Sequence, residues 1–499
     1  MRRYSVLMVL AGMLVALWSA LPAAASGAAP SRPAAPVAAK TARVDTRVDT
    51  CAFSHQCNAN VTSVSCPTAR DCTASGYYAD GRGHSQAFVI SQKSGRWGRA
   101  AEVPGTAALN TGGHAEAEAV SCPSSGNCTV SGYYEDASHH FHVYVASEVK
   151  GKWGPARQIP GSAALLQGHE AGDALLSCPS AGNCTTGGIY DAPPGTQESF
   201  LASETHGHWG QARKVQGSRS FDSSGLTPLE GLSCASAGNC VAGGSYSPAG
   251  ALTAYAFVVS EKNGRWGQPL RVATPFAGSS AQIEDVSCPS AGNCAASGAY
   301  SDARDETQAL VVSEKNGRWG RAQAIPGVRA LNVGGDAEAG VVSCASAGNC
   351  SVGGHYTGPV PAEGPQPLQA LVASEKNGRW GSAREVAGSG ALNTGGDAEV
   401  AGMSCPAAGD CAATVTYVGD SGWGAGVVGE TRGTWARITT TRGWAAIKAM
   451  GNEEIAPVSC ASAGNCVAGG SFLTAVGTQA FLVVEHGGAW RNVWQVRGF

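Results

Sequence analysis

The sequence predicts an all-β chain: an eight-bladed β-propeller of four-stranded antiparallel blades with one hairpin disulfide per blade. Three observations carry this prediction. A turn motif, seen as Val120-Ser121-Cys122-Pro123-Ser124-Ser125-Gly126-Asn127-Cys128, recurs eight times, with its first cysteine at Cys66, Cys122, Cys178, Cys234, Cys288, Cys344, Cys405 and Cys460. A second cysteine follows six positions later each time: Cys72, Cys128, Cys184, Cys240, Cys294, Cys350, Cys411 and Cys466. An aromatic residue stands twelve positions after the first cysteine, from Tyr78 and Tyr134 to Tyr417 and Phe472. A fixed period of about 56 residues is the mark of a solenoid, array or propeller.

Residues 1–25 read as a secretory signal peptide. Arg2 and Arg3 precede an apolar run from Val6 to Leu21, and Ala23-Ala24-Ala25 suits a signal peptidase. Residues 26–50, rich in Ala, Pro, Ser and Thr, read as a flexible leader that cannot bury a core. Residues 51–499 then form the propeller. No second apolar run reaches membrane length, so the mature chain is expected to have no membrane span, to be secreted and extracellular, and to be a monomer. An export route fits the cysteines: all 18 fall into nine pairs of one spacing, Cys51 and Cys57 being the ninth, which reads as a disulfide framework. Zinc thiolate sites use closer spacings and four ligands.

Composition narrows the partners. The formal charge of −3 becomes −5 when Arg2 and Arg3 leave with the signal peptide, and no Lys/Arg cluster remains, so nucleic acid is not expected as a partner. With 14% charged residues and 69 glycines, tight turns and strands are favoured over helices.

Within one period the elements read in order. Ala117 to Cys122 is a short strand, Pro123 to Asn127 a turn, and Cys128 to Tyr134 a second, antiparallel strand. Cross-strand neighbours lie ~4.5–5.5 Å apart, within reach of a disulfide. A polar loop leads to a third strand, His142 to Glu148. A turn follows, often Asn-Gly as in Asn263-Gly264, Asn316-Gly317 and Asn377-Gly378, the strongest short hairpin signal. The fourth strand opens with Trp153, matched by Trp97, Trp209, Trp266, Trp319, Trp380, Trp435 and Trp490, and ends near Pro160. No segment holds a sustained 3.6-residue period. One such sheet cannot bury both faces, whereas blades packed face to face can. The repeated Tyr and Trp are therefore expected in inter-blade packing rather than as sugar platforms.

The third-to-fourth turn, Ser260-Glu261-Lys262-Asn263-Gly264-Arg265-Trp266, resembles the Asp-box (BNR) turn of sialidase-like propellers, whose pattern is Ser-x-Asp-x-Gly-x-Thr-Trp. Lys262 stands at the Asp position and Arg265 at the Thr position, and the last two repeats replace the Ser with Gly429 and Val484. The resemblance implies the blade architecture. It does not carry sialidase activity, because that family's arginine triad, tyrosine nucleophile and acid find no matching positions. The chain is also similar to secreted bacterial proteins with tandem cysteine-paired propeller repeats, a group without one shared function.

In a propeller, the disulfide turn and the Asn-Gly turn fall on one face. The second-to-third loops and the connections between blades fall on the other, where length and sequence vary and function is expected. The connection Ala108 to Glu116 contains Asn110-Thr111-Gly112-Gly113-His114, and similar runs lead to Asp336-Ala337-Glu338 and Asp397-Ala398-Glu399. Six residues before the repeat cysteine stand Glu116, Glu338, Glu399 and Glu454. Eight before it stand His114, Glu170, Asp336, Asp397 and Asn452. These side chains are expected to ring the channel mouth, with Gly172, Pro228 and Gln282 interrupting the ring. Converging carboxylates need a cation, a shared proton or water, and hard oxygen ligands suit Ca2+ as a cofactor. The bland alternative is solvated loop carboxylates, with Gly-Gly serving only the turn.

His139, His140 and His142 are expected near His114, either as metal ligands or as solvated histidines. Trp423 is expected in an exposed loop, where it suits sugar stacking or blade packing. No nucleophile–base motif, His-Glu-x-x-His or phosphate loop is present. Three functions follow: a secreted protein binding a glycan, cell-wall polymer or extracellular protein on the long-loop face; a glycan-cleaving hydrolase or lyase with its carboxylates at the channel mouth; or a purely structural surface protein.

Overall fold

The computed structural model describes residues 57–499 apart from 167–170, 193–195, 216–227, 249–252, 360–366, 421, 441–451, 476 and 499. The signal peptide, the leader, the Cys51–Cys57 pair and Glu170 therefore lie outside the described residues. The described residues belong to one compact unit, Asp49–Phe499. The fold is all-β and propeller-like, built from the tandem antiparallel sheets that the cysteine period predicts.

The second repeat represents the others. Its inner strand, Ala115–Ser124, pairs with a second strand, Asn127–Glu135, which pairs with a third, Phe141–Val149. The expected continuous fourth strand is instead two short pieces, Lys152–Trp153 and Arg157–Gln158, both paired to the third strand. The break follows the residue after the tryptophan: the Gly154 N–H turns back to the Ser147 carbonyl at 2.9 Å, as Gly98 does to Ser91 and Gly320 to Ser313, both at 3.0 Å. In the last repeat Trp490 is followed by Arg491 rather than Gly, and Ala489–Gln495 runs as one strand. The connections also hold single helical turns, Thr106–Leu109, Ser162–Leu166, Val328–Leu331 and Ser389–Leu392, where the sequence suggested only loop. One turn is too short to generate a helical period.

Among the described residues eight disulfides join each cysteine to the one six positions on, from Cys66–Cys72 to Cys460–Cys466. Such a framework fits an extracellular protein. Among the described residues no helix is long and apolar enough to cross a membrane.

The core lies between successive sheets. Ala295, Val311 and Ile325 of the fifth repeat pack with Val342, Val352 and Tyr356 of the sixth. Val61, Phe88 and Ile90 of the first pack with Val467 and Leu482 of the last. The repeat aromatics Tyr134, Tyr190, Tyr246, Tyr300, Tyr356, Tyr417 and Phe472 are all buried, as a packing role requires. A hydrogen bond repeats at the inner strands. The serine before each first cysteine accepts the N–H of the next repeat's cysteine: Ser65 from Cys122 at 2.9 Å, Ser121 from Cys178 at 3.0 Å, and so on to Ser404 from Cys460 at 3.0 Å. Ser459 of the last repeat accepts from Cys66 of the first at 3.0 Å.

Backbone bonds define two faces. On the turn face, the glycine of each third-to-fourth turn donates to the carbonyl of the disulfide turn, as in Gly151 to Gly126 and Gly317 to Gly292, both at 2.8 Å. On the connection face, the chain leading to each inner strand bonds the end of the second strand, as in Gly334 N–H to Thr357 O at 3.1 Å and Val418 N–H to Asp397 O at 2.8 Å.

Candidate carboxylate site on the connection face

The site begins with a β-bulge. Each inner strand shifts register twice, once at the disulfide turn and once before it, the latter between Ala117 and Ala119 in the second repeat and between Glu338 and Val341 in the sixth. The bulge moves the cross-strand pairing by one residue. Glu116 therefore faces Tyr133, Glu338 faces His355, Glu399 faces Thr416 and Glu454 faces Ser471. In the sixth repeat the carbonyl of the carboxylate-bearing residue presses against the second strand, where only glycine fits: a Cβ on Gly354 would stand 2.0 Å from the Glu338 oxygen.

These side chains influence one another. Burial pushes the Glu338 carboxyl up; His355 opposes this, while Asp336 and Glu399 add to it. The Glu454 carboxyl is raised by burial and then by Glu399. The His355 Nδ1 atom stands 3.9 Å from Glu399 Oε2, linking the sixth repeat to the seventh. Across the chain ends, Tyr77 of the first repeat is pushed up to about 12 by burial and by the charges of Glu116 and Glu454. Position six before the cysteine thus carries Glu338, Glu399, Glu454, Asn60 and Glu116 in repeats 6, 7, 8, 1 and 2, and the apolar or neutral Gly172, Pro228 and Gln282 in repeats 3, 4 and 5. The carboxylates form an arc rather than a full ring.

In the second repeat His114 Nε2 lies 3.1 Å from Glu116 Oε1, and this hydrogen bond raises the imidazole's affinity for a proton. His114, Tyr133 and Phe141 stack in a triad with ring centroids 5.5–5.8 Å apart. Burial, then Glu116 and Glu118, pushes the Tyr133 phenol well above its usual range. The other histidines serve their own hairpin: His139 Nδ1 lies 2.7 Å from Glu135 Oε1, and His142 Nε2 lies 2.8 Å from Asp136 Oδ2.

Trp423 is not in a loop. It opens the third strand of the seventh repeat, Gly422–Thr431, paired with Val418, and its side chain is 44% exposed. Asn452 ties it to the next repeat: the Trp423 N–H donates to Asn452 Oδ1 at 3.4 Å, and the N–H of exposed Leu473 donates to Asn452 O at 3.2 Å. An exposed indole and an exposed leucine therefore flank a residue two positions from Glu454. Asp336 and Asp397 use their backbone carbonyls to anchor Thr357 and Val418. Among the described residues no group of three or more His, Cys, Asp or Glu side chains is arranged to hold a metal ion.

Tyr77, Tyr133 and His355 were not singled out by the sequence. All sit eleven positions after the repeat cysteine, beside the core aromatic at twelve. Strand alternation turns them away from the core, but only the bulge brings them opposite the carboxylates.

No family model and no curated protein matches the sequence. Among solved structures, the chain is similar to a Hadza microbial sialidase (13% identity, 71% of this chain and 72% of that one, TM-score 0.36). It is similar also to a PL25 polysaccharide lyase, an ulvan lyase (9% identity, 88% and 97%, TM-score 0.43). A third is a Penicillium chrysogenum α-L-arabinanase (12% identity, 64% and 98%, TM-score 0.34).

Proposed function

We propose that the mature chain is a secreted, monomeric, closed eight-bladed propeller that binds a glycan on its connection face, across the arc from Glu338 to Glu116. The carrying observation is the mutual influence of Glu399, Glu454, Tyr77 and Glu116 across the chain ends, which gathers hydrogen-bonding groups from four repeats. The bond from Cys66 to Ser459 supports closure, since it repeats the bond at every other junction. So does the parallel pairing of Asn58 with Thr478, which matches the bridge between Ser85 and His114. Trp423 and Leu473 offer apolar faces for a sugar ring beside the arc. Converging carboxylates repel uronates and sulfates, so the fitting ligand is a neutral or amino-bearing polymer, including cell-wall polymer.

Hydrolysis or lysis is the second reading. Carboxyls whose proton affinity burial raises, Glu338 and Glu454, suit a general acid, and inverting or retaining hydrolysis needs such an acid near an ionised partner. An array of neutral, amino-bearing and anionic glycans, scored for binding and for released product, separates the two. Binding without product is expected, with affinity falling about tenfold (about 1.4 kcal/mol) in Glu399→Gln and in Trp423→Ala. Released product would establish the hydrolase or lyase instead, and retention only on anionic glycans would refute the carboxylate arc as the contact.

A further inference from the structure

The turn face, away from the arc, holds two clefts built alike. One, of about 280 Å³, lies between repeats 4 and 5, with Val241, Glu261, Lys262 and Glu314 in its wall. The other, of about 240 Å³, lies between repeats 5 and 6, with Ala295, Glu314, Lys315 and Glu375. The glutamates occupy one repeat position, opposite the repeat tryptophan, and are nearly inaccessible: Glu261 and Glu314 are 3% exposed and Glu375 is 6%.

A buried carboxylate normally collects donors. The equivalent Glu430 of repeat 7 does so from the preceding repeat, accepting from Ser351 at 3.1 Å and from Ser374 at 2.6 Å. Val241 and Ala295 stand at the position of Ser351, seven residues after the repeat cysteine, and supply no hydroxyl. Among the described residues no donor reaches Oε2 of Glu261 or of Glu314. The donor is missing where the clefts open. Burial pushes the Glu314 and Glu375 carboxyls up, and Lys262 and Lys315 act in the opposite direction.

We propose that the two clefts are equivalent binding sites for a neutral hydroxylated ring, a single pyranose unit. Its hydroxyls donate to Glu314 in one cleft and Glu375 in the other, and accept from Lys262 and Lys315. A cationic ligand meets the resident ammonium group, and an anionic one meets the buried carboxylate. A neutral polyol alone satisfies both, because each hydroxyl donates and accepts. The volumes are at the small end for ligand sites and hold one ring. This site is independent of the glycan arc on the opposite face.

The test titrates the full mature chain with the methyl pyranosides of glucose, galactose, mannose and fucose, by calorimetry and saturation-transfer NMR. At least one should bind at two sites with millimolar affinity. Ala291→Trp and Ala347→Trp, at exposed lips of the first and second cleft, should each remove one site, and the double variant both, with melting unchanged. Glu399→Gln, on the other face, should leave the stoichiometry alone. The proposal fails if none of the four glycosides saturates by about 50 mM, where binding energies fall below about 2 kcal/mol. It fails equally if binding survives the double lip variant, or if Glu399→Gln abolishes it.

Discussion

The two faces of this molecule are held by different means. On the turn face the same glycine-to-carbonyl bond joins the two turns in repeat after repeat, and Asn-Gly sequences recur because the backbone needs positive φ there, 49° at Asn263 and 77° at Gly264. On the connection face the backbone bonds also recur, but the residues between them change from His114 to Asp336 to Asn452. Uniform sequence marks where the backbone sets the demand. Varied sequence marks where side chains are free to be chosen, and there the carboxylates gather.

The largest effect should separate the two kinds of glycine. Gly354→Ala drives a Cβ to 2.0 Å from the Glu338 carbonyl and 2.9 Å from the Gly340 nitrogen, neither of which belongs to a flexible side chain. A loss of about 3 kcal/mol or more is expected in urea unfolding, with the carboxylate arc displaced. Gly264→Ala meets nothing within 4 Å and pays only for its positive φ, about 1 kcal/mol. Equal losses at the two sites would mean that the bulge tolerates movement and does not fix the carboxylates.

Acidity should act on Glu485 of the turn face and Asp136 of the connection face in opposite senses. On the turn face burial pushes Glu485 up to about 7. A folded pKa above the unfolded one means that this group's stabilisation is complete below about pH 4.5 and is lost as pH rises through 7, about 3 kcal/mol in all. Glu148, Glu204, Glu261, Glu314 and Glu375 are raised in the same direction. On the connection face, burial at Asp136 is outweighed by hydrogen bonds from His142 and the backbone of His140 and Ser138, which bring it to about 2. Its stabilisation is present above about pH 3.8 and lost as pH falls through 2. Urea midpoints should therefore peak near pH 5. Glu485→Gln should flatten the decline between pH 5 and 8. A midpoint that rises steadily to pH 8 would contradict the buried-glutamate assignment.

Each disulfide staples a short hairpin on the turn face, and closing so small a loop is worth about 2 kcal/mol. Replacing Cys122 and Cys128 together by alanine should lower the melting temperature modestly and leave the glycan affinity of the connection face intact. Non-reducing peptide maps should contain only links between cysteines six apart, Cys51–Cys57 among them. Any bridge between repeats would overturn the local scheme.

Much of the fold was legible because its causes are local. The cysteine period, the Gly-Asn turns and the aromatic at position twelve each follow from a backbone or packing demand that repeats. The broken fourth strand has a faint mark in the glycine that follows most of the repeat tryptophans, such as Gly98, Gly154 and Gly320, while Trp153 marks the strand's start so clearly that the sequence reads as continuous. The site was legible only in part. Glu116, Glu338, Glu399 and Glu454 were found by counting back from cysteine, but an unbulged hairpin pairs position six before the cysteine with the core tyrosine at twelve after it. The bulge, which no residue type announces, pairs it with position eleven and so recruits Tyr133 and His355. Nothing in the sequence marks the glutamates opposite the tryptophans as buried, since their burial depends on the neighbouring repeat.

The smallest predicted effect bears on the chain ends. Ser459→Ala removes the acceptor of the Cys66 N–H, and Ser121→Ala removes that of Cys178, the same bond at an ordinary junction. Each leaves a partly buried N–H without its partner, at about 1 kcal/mol. If the first and last repeats meet as the others do, the two variants lose equal stability. Hydrogen exchange at Cys66 and Cys178 should then quicken by the same factor, about fivefold. Only a joined seam brings Glu454 beside Tyr77 and Glu116, so the same bond underwrites the carboxylate arc. Should Ser459→Ala be silent while Ser121→Ala is not, the ends are not held together in solution. The arc would then divide into Glu338, Glu399 and Glu454 on one side and Glu116 on the other, and a ligand would have to be gripped by the first three alone.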